Sequence, residues 1–123
     1  GIKIHRYEPG FVVQMGRAFD DNGNPLYPDD PKKAELAQIT INDEPCLSEN
    51  TYMTISFAKP NAPDSASCQF FINLGDNRRL DELNYGFTVM AQVIHGQDVV
   101  QKLRRGDVIG DAQIIQRGPE PGL

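Results

Sequence analysis

Every apolar run in this chain is cut short by a glycine, a proline or a cluster of Asp and Asn, with 9 prolines and 11 glycines among 123 residues. Such punctuation favours strands of about four to eight residues over long helices. Ile2 to Tyr7 and Phe11 to Met15 read as two strands joined by a turn at Glu8-Pro9-Gly10. Thr51 to Ala58, Cys68 to Leu74 and Phe87 to Ile94 read as three more, and Ala112 to Gln116 as a last short one. Asp20 to Pro31 is a surface loop, and Lys32 to Gln38 stays open between a helical turn and irregular chain. Lys59 to Ser67 and Asp76 to Asn84 are loops, the second anchored by Leu80 and Leu83. Gln97 to Arg105 is the best helix, with Val99, Val100 and Leu103 on one face, Asp98 in its first turn and Arg104, Arg105 and Gly106 closing it. Short strands with one clear helix predict a single mainly-β domain over residues 1–123, antiparallel and closed or nearly closed.

Charge and cysteine content narrow the function. Twelve basic residues against 17 acidic ones leave a net charge of −5, which opposes nucleic-acid binding, where Lys and Arg must neutralise phosphates. No apolar run has the length of a membrane span. Cys46 and Cys68 are the only cysteines. They are expected as free thiols, and without a Cys-x-x-Cys pair or a histidine cluster no metal is expected. Compartment and natural substrate are left open.

Polar side chains inside the apolar runs point to a cleft. Arg6 lies in the run that opens at Ile2, Gln14 lies between Val13 and Met15, and Gln69 lies between Cys68 and Phe70. A buried amide or guanidinium without a partner costs several kcal/mol, so these groups are expected at the border of a shallow apolar hollow. The strand period puts Gln69 and Phe71 on one face, with Phe70 and Ile72 turned to the core. Phe11 and Gln14, three apart, share a face only if a bulge or bend follows the Pro9-Gly10 turn. One Arg, two Gln and two or three Phe suit an extended peptide carrying one apolar residue.

The chain resembles the cyclophilins, the prolyl cis/trans isomerases. His5-Arg6, Pro9-Gly10-Phe11, Gln14 and Gly16 follow that family's Phe-His-Arg-x-x-Pro-Gly-Phe-x-x-Gln-x-Gly. Thr54 to Lys59 is similar to its Ser-Met-Ala run, and Asp64 to Asn73 to its Ser-Gln-Phe-Phe-Ile segment. Leu80-Asp81, Gly86 to Val93 and Gly96 to Val100 complete the order, and the wording of Asp64 to Asn73 is most like bacterial members. The resemblance implies an antiparallel β-barrel, eight-stranded when complete, with capping helices. It also implies that this chain begins inside the third strand, lacking the first two strands and first helix, so a complementing N-terminal segment or second chain is expected.

The same resemblance assigns roles. Rotation about an X–Pro bond faces a barrier of about 18–20 kcal/mol from amide conjugation. It needs no nucleophile or cofactor, only tighter binding of the twisted amide than of either planar form. Arg6 would hold the prolyl carbonyl and donate toward the prolyl nitrogen, with Gln14 orienting it; a surface Arg6 paired with Glu8 or Asp76 is the plainer reading. Phe11, Phe71 and Leu80 would enclose the proline ring beside Val12 and Phe87. The backbone of Ala58 and Lys59 would pair with the residue before proline, and Gln69 would line the adjoining subsite. Arg79 stands where many eukaryotic members carry a rim Trp, which predicts weak binding of the inhibitor cyclosporin. Phe57 and Met90-Ala91 look like core swaps. His5 is expected as an inward structural residue, and a Cys68–His nucleophile pair is set aside. A proline-peptide binding module without turnover, and a fragment that needs a partner chain, remain as alternatives.

Overall fold

A computed structural model describes residues 2–44, 48–83, 86–113 and 115. The strands are β1 (Ile2–Glu8), β2 (Val12–Met15), β3 (Thr54–Phe57), β4 (Phe70–Asn73), β5 (Val89–Gln92) and β6 (Val108–Ile109), with helices α1 (Pro31–Leu36) and α2 (Gln97–Lys102) and a 3-10 helix over Arg78–Asp81. The described strands form one antiparallel sheet in the order β5-β3-β4-β2-β1-β6. This sheet is not closed, against the closed or nearly closed barrel expected. β6 offers two residues to β1, and β5 forms the other edge.

One feature of β1 sorts the side chains between the two faces. Ile4 pairs with Met15 but Arg6 pairs with Gln14, so the register slips by one residue across His5. In a regular strand Ile4 and Arg6 would point the same way. The bulge separates them: Ile4 is fully buried in the main core with Val13, Met15, Met53, Ile72 and Leu74, while Arg6 faces the other side. Ile2, Tyr7, Phe70, Val100, Leu103 and Ile109 pack around that core. On the opposite face Val12, Ala58, Phe71 and Leu80 form a smaller cluster with Phe11 and Phe87 at its border.

Several element boundaries differ from expectation for local reasons. β3 starts at Thr54 rather than Thr51 because Met53 sits at φ 68°, a left-handed conformation that breaks the ladder. Of the stretch Lys32 to Gln38, the residues up to Leu36 resolve as helix, entered through Pro31 at its first turn, and Ala37 and Gln38 form a turn. α2 stops at Lys102, and Val100 and Leu103 reach the core whereas Val99 is 57% exposed. Leu83 is 49% exposed, unlike the expected anchor Leu80 at 7%. Met90 and Ala91 lie exposed on edge strand β5, so they are not core swaps. The last strand forms at Val108–Ile109 instead of Ala112 to Gln116, since these are the residues that meet Ile2 and Lys3. Ala112, Gln113 and Ile115 are outside strands, and Ile114 and Gln116 lie outside the described residues. Cys68 is a free thiol, and Cys46 also lies outside the described residues. Among the described residues no helix is long and apolar enough to cross a membrane.

Gly16 ends β2 at φ 97°, and a Cβ there would stand 2.6 Å from the Cys68 carbonyl oxygen. Gly16→Ala therefore combines left-handed strain with a backbone clash and is expected to destabilise the fold by about 2 kcal/mol or more. Urea unfolding checks this; a midpoint equal to that of the unsubstituted chain would contradict the packing described.

Candidate active site

Four adjacent strands present one row of side chains. Arg6 on β1 stands opposite Gln14 on β2, Gln14 opposite Phe71 on β4, and Phe71 opposite Ser56 on β3. Directly opposed residues share a face, so the row runs across the sheet on the side away from the main core. Loops then fold over it. Phe11 enters from the β1–β2 turn, Leu80 from the 3-10 helix and Phe87 from the segment before β5. Together Arg6, Phe11, Val12, Gln14, Ala58, Lys59, Phe71, Leu80 and Phe87 line a hollow of about 150 Å³. Phe71 and Phe87 meet edge to face at 5.8 Å between centroids.

Every residue proposed from sequence lies at this hollow or beside it. Gln69 lines an adjoining cavity of about 400 Å³, which shares Gln14, Ala58 and Lys59 with the first. Arg79 sits at the rim with its guanidinium 5.3 Å from the Phe11 ring centroid, and Arg6 approaches the same ring at 5.7 Å. The β1 bulge brings Arg6 to this face, and for Phe11 and Gln14 the bend after Pro9-Gly10 suffices. Phe11 precedes β2 and reaches the hollow from the turn, so β2 itself stays regular against β4.

The polar groups form a relay along the row. Arg6 Nη1 donates to Gln14 Oε1 at 3.3 Å, and Gln14 Nε2 donates to Gln69 Oε1 at 3.0 Å. Arg6 Nε and Nη2 donate to Glu8 Oε1 at 3.2 and 2.9 Å. Both the oriented Arg6 and its pairing with Glu8 are therefore present at once. Of the five guanidinium N–H groups, these contacts leave two. His5, at the bulge, is held below its ordinary pKa by burial and then by the charges of Arg17 and Arg6, and its Nδ1 has no hydrogen-bond partner among the described residues.

Lys59 is fixed from behind. Its ammonium donates to Asp43 Oδ1 at 3.0 Å with only 4% of its side chain exposed, and lies 5.7 Å from the Phe87 ring centroid. Asp43 and Asp64 clasp each other's backbone: Asp64 N–H donates to Asp43 Oδ2 at 3.0 Å and Asp43 N–H to Asp64 Oδ1 at 2.6 Å. The Asp64 N–H first, and then Lys59, hold the Asp43 carboxyl below the usual carboxylate range.

Sequence reasoning missed a buried amide network on this same face. Asn50 Oδ1 accepts from Ser56 Oγ at 2.6 Å and from Asn73 Nδ2 at 3.1 Å, and Asn73 Nδ2 also donates to Thr54 Oγ1 at 2.9 Å. Asp81 Oδ1 accepts from both the backbone N–H and the side-chain amide of Asn50, at 2.9 and 2.7 Å. Asn73, Asn77 and Asp81 recur every fourth residue, which was the available signal.

Comparison with known proteins agrees with this geometry. Residues 1–118 match the family model described as cyclophilin type peptidyl-prolyl cis-trans isomerase/CLD. The chain is 37% identical over 105 residues to a peptidyl-prolyl cis-trans isomerase of Acinetobacter baylyi, covering 84% of this chain and 51% of that protein. It is 34% identical over 105 residues to peptidyl-prolyl cis-trans isomerase A of Dickeya dadantii, covering 84% and 50%. Against peptidyl-prolyl cis-trans isomerase B of Escherichia coli it is 35% identical over 109 residues, covering 82% and 59%. The chain thus spans about half the length of the first two relatives.

The Asp43 clasp makes the loops behind Lys59 sensitive to acid. Its pKa is lowered on folding from an ordinary 3.8, so its contribution is present above about pH 4 and is lost as pH falls through the depressed folded value. Below pH 4 the urea midpoint of the unsubstituted chain should therefore fall more steeply than that of Asp43→Asn, which is the less stable protein at pH 7. Parallel profiles for the two would exclude the clasp as a source of stability.

Proposed function

We propose that this chain, which belongs to the cyclophilin-type peptidyl-prolyl cis-trans isomerase family, catalyses rotation about X–Pro bonds in flexible or unfolded protein segments. The observation that supports the reading is that Arg6 and Gln14 border the same hollow as Phe11, Phe71, Leu80 and Phe87. Phe11, Phe71, Leu80 and Phe87 hold the proline ring still. The residue before proline turns, and the amide passes through a twisted state in which its nitrogen lone pair leaves conjugation. Arg6 donates to the prolyl carbonyl and toward that nitrogen through its remaining N–H groups, and so favours the twisted form. Each ~1.36 kcal/mol of that preference is worth about tenfold in rate.

The remaining roles follow from position. Gln14 holds Arg6 and is in turn held by Gln69, which fixes the row in one orientation. The Ala58 N–H donates to the Gln69 carbonyl at 2.9 Å, so a peptide lying along Ala58 and Lys59 pairs with the Ala58 carbonyl. Val12 supplies the apolar floor. No proton acceptor, nucleophile or bound group is required. The Arg6–Glu8 ion pair supports a second reading, binding without turnover, because the carboxylate competes with a substrate carbonyl for the guanidinium.

NMR exchange spectroscopy on a short X–Pro peptide tests the proposal. Arg6→Ala should lower the catalysed exchange rate about a hundredfold, equivalent to about 2.7 kcal/mol, while peptide affinity falls less than about tenfold. An Arg6→Ala protein as active as the parent would overturn the assignment. Peptide binding without faster exchange in the parent chain would instead establish the binding module.

Inhibitor binding is a separate expectation. A guanidinium at position 79 replaces an indole donor and its apolar wall, so cyclosporin should bind weakly and Arg79→Trp should tighten it by about tenfold or more, the scale of a lost hot-spot aromatic. Calorimetric titration reads both, and nanomolar binding by the parent chain would refute the role given to Arg79.

A further inference from the structure

The walls of the hollow are attached to the fold in two different ways. Phe71 is carried by β4 and locked by ladder pairing on both sides. Phe11 and Phe87 come from segments outside the strands and Leu80 from the 3-10 helix, so none of the three sits in a strand. All three are connected through Asn77, which is 5% exposed and lies just before the 3-10 helix.

Asn77 reaches each wall by a short path. Its Nδ2 donates to the Phe11 carbonyl at 2.9 Å and to Asn73 Oδ1 at 2.8 Å. Its carbonyl accepts from the Leu80 N–H at 2.8 Å, and the Leu80 carbonyl accepts from the Phe87 N–H at 2.9 Å. Its own N–H donates to the Asn50 carbonyl at 2.9 Å, and Asn50 Nδ2 donates to the Phe87 carbonyl at 2.9 Å. A buried network with this many linked groups has few alternative arrangements. The Asn77 side chain itself meets a wall only at the Phe11 carbonyl, which also accepts from the Leu74 N–H at 2.8 Å, so replacing the amide loosens the Phe11 wall while the backbone bonds persist.

We propose that Asn77 is a positioning residue that sets the width of the hollow and thereby its selectivity for a five-membered imino-acid ring over a larger one. The proposal rests on the isomerase reading only for the identity of the bound ring. Asn77 touches no substrate atom and acts through Phe11. An apolar pocket separates ligands that differ by one methylene by roughly 10- to 200-fold, so a modest widening is visible in that ratio.

The test compares a peptide containing proline with the same peptide containing pipecolic acid, whose ring is one methylene larger. Dissociation constants by NMR titration, and exchange rates where they are catalysed, are measured for the parent chain, Asn77→Ala and Asn77→Ser. The preference for proline should fall at least about fivefold in Asn77→Ala, and less in Asn77→Ser, whose hydroxyl keeps one donor. A purely structural role lowers binding of both peptides alike and leaves the ratio unchanged, so an unchanged ratio in a folded variant overturns the proposal. Failure of both variants to fold overturns it too, because the amide then belongs to the fold and not to the hollow. If the parent chain binds both peptides without speeding exchange, the isomerase reading fails, and the binding ratio still decides the role of Asn77.

Discussion

A single extra residue in β1 is the constraint on which the site depends. Without the slip at His5, Ile4 and Arg6 would face the same way, and the strand would bury a guanidinium or expose an isoleucine. Burying an unpaired guanidinium is far more costly than leaving an isoleucine in water. The bulge removes that choice by giving each face its own residue. It costs a disrupted ladder, leaves His5 Nδ1 without a hydrogen-bond partner among the described residues, and places the Arg6 guanidinium beside the aromatic hollow. Everything assigned to Gln14, Gln69 and Glu8 follows from where that cation ends up.

The two faces then divide the work. One carries the continuous aliphatic core around Ile4, Met15, Met53 and Ile72 and supplies most of the driving force for folding. The other carries a thin apolar cluster around Phe71, deliberately incomplete, with loops in place of a second layer. Its polar side chains are tied to one another in a line, from Arg6 through Gln14 to Gln69. Rigid backing and loop-borne walls are the combination expected of a recognition surface that must hold one ring and let the adjoining bond turn.

Much of this was legible in the residues. Gln69 beside Phe71 gave the face of β4 by period alone, and the short punctuated runs gave five strand cores within a few residues. The order of the motifs brought Arg6, Phe11 and Leu80 together across more than seventy positions. The rest was hidden for definable reasons. A bulge leaves no mark in composition, so the slip across His5 that turns Arg6 away from Ile4 could not be read from the residues. Val108–Ile109 is too short to show alternation, and its pairing with Ile2 and Lys3 is a tertiary choice. Asn77 read as a loop polar and Asn73 as one more residue of a strand because sequence reports polarity but not burial; with Asn50, their value lies in being enclosed and linked to one another.

Met53 shows how such an arrangement is maintained. It is a non-glycine residue at φ 68°, completely buried, with its N–H donating to the Asn73 carbonyl at 2.7 Å. A glycine would relax the backbone there by an amount of order 1 kcal/mol, while forfeiting a thioether side chain whose burial is worth about 1.5–3 kcal/mol. Comfort of the main chain and filling of the interior thus pull in opposite directions at one position. The molecule accepts a strained link so that the segment carrying Asn50 can turn sharply into β3, and an engineer seeking easy stabilisation should look elsewhere.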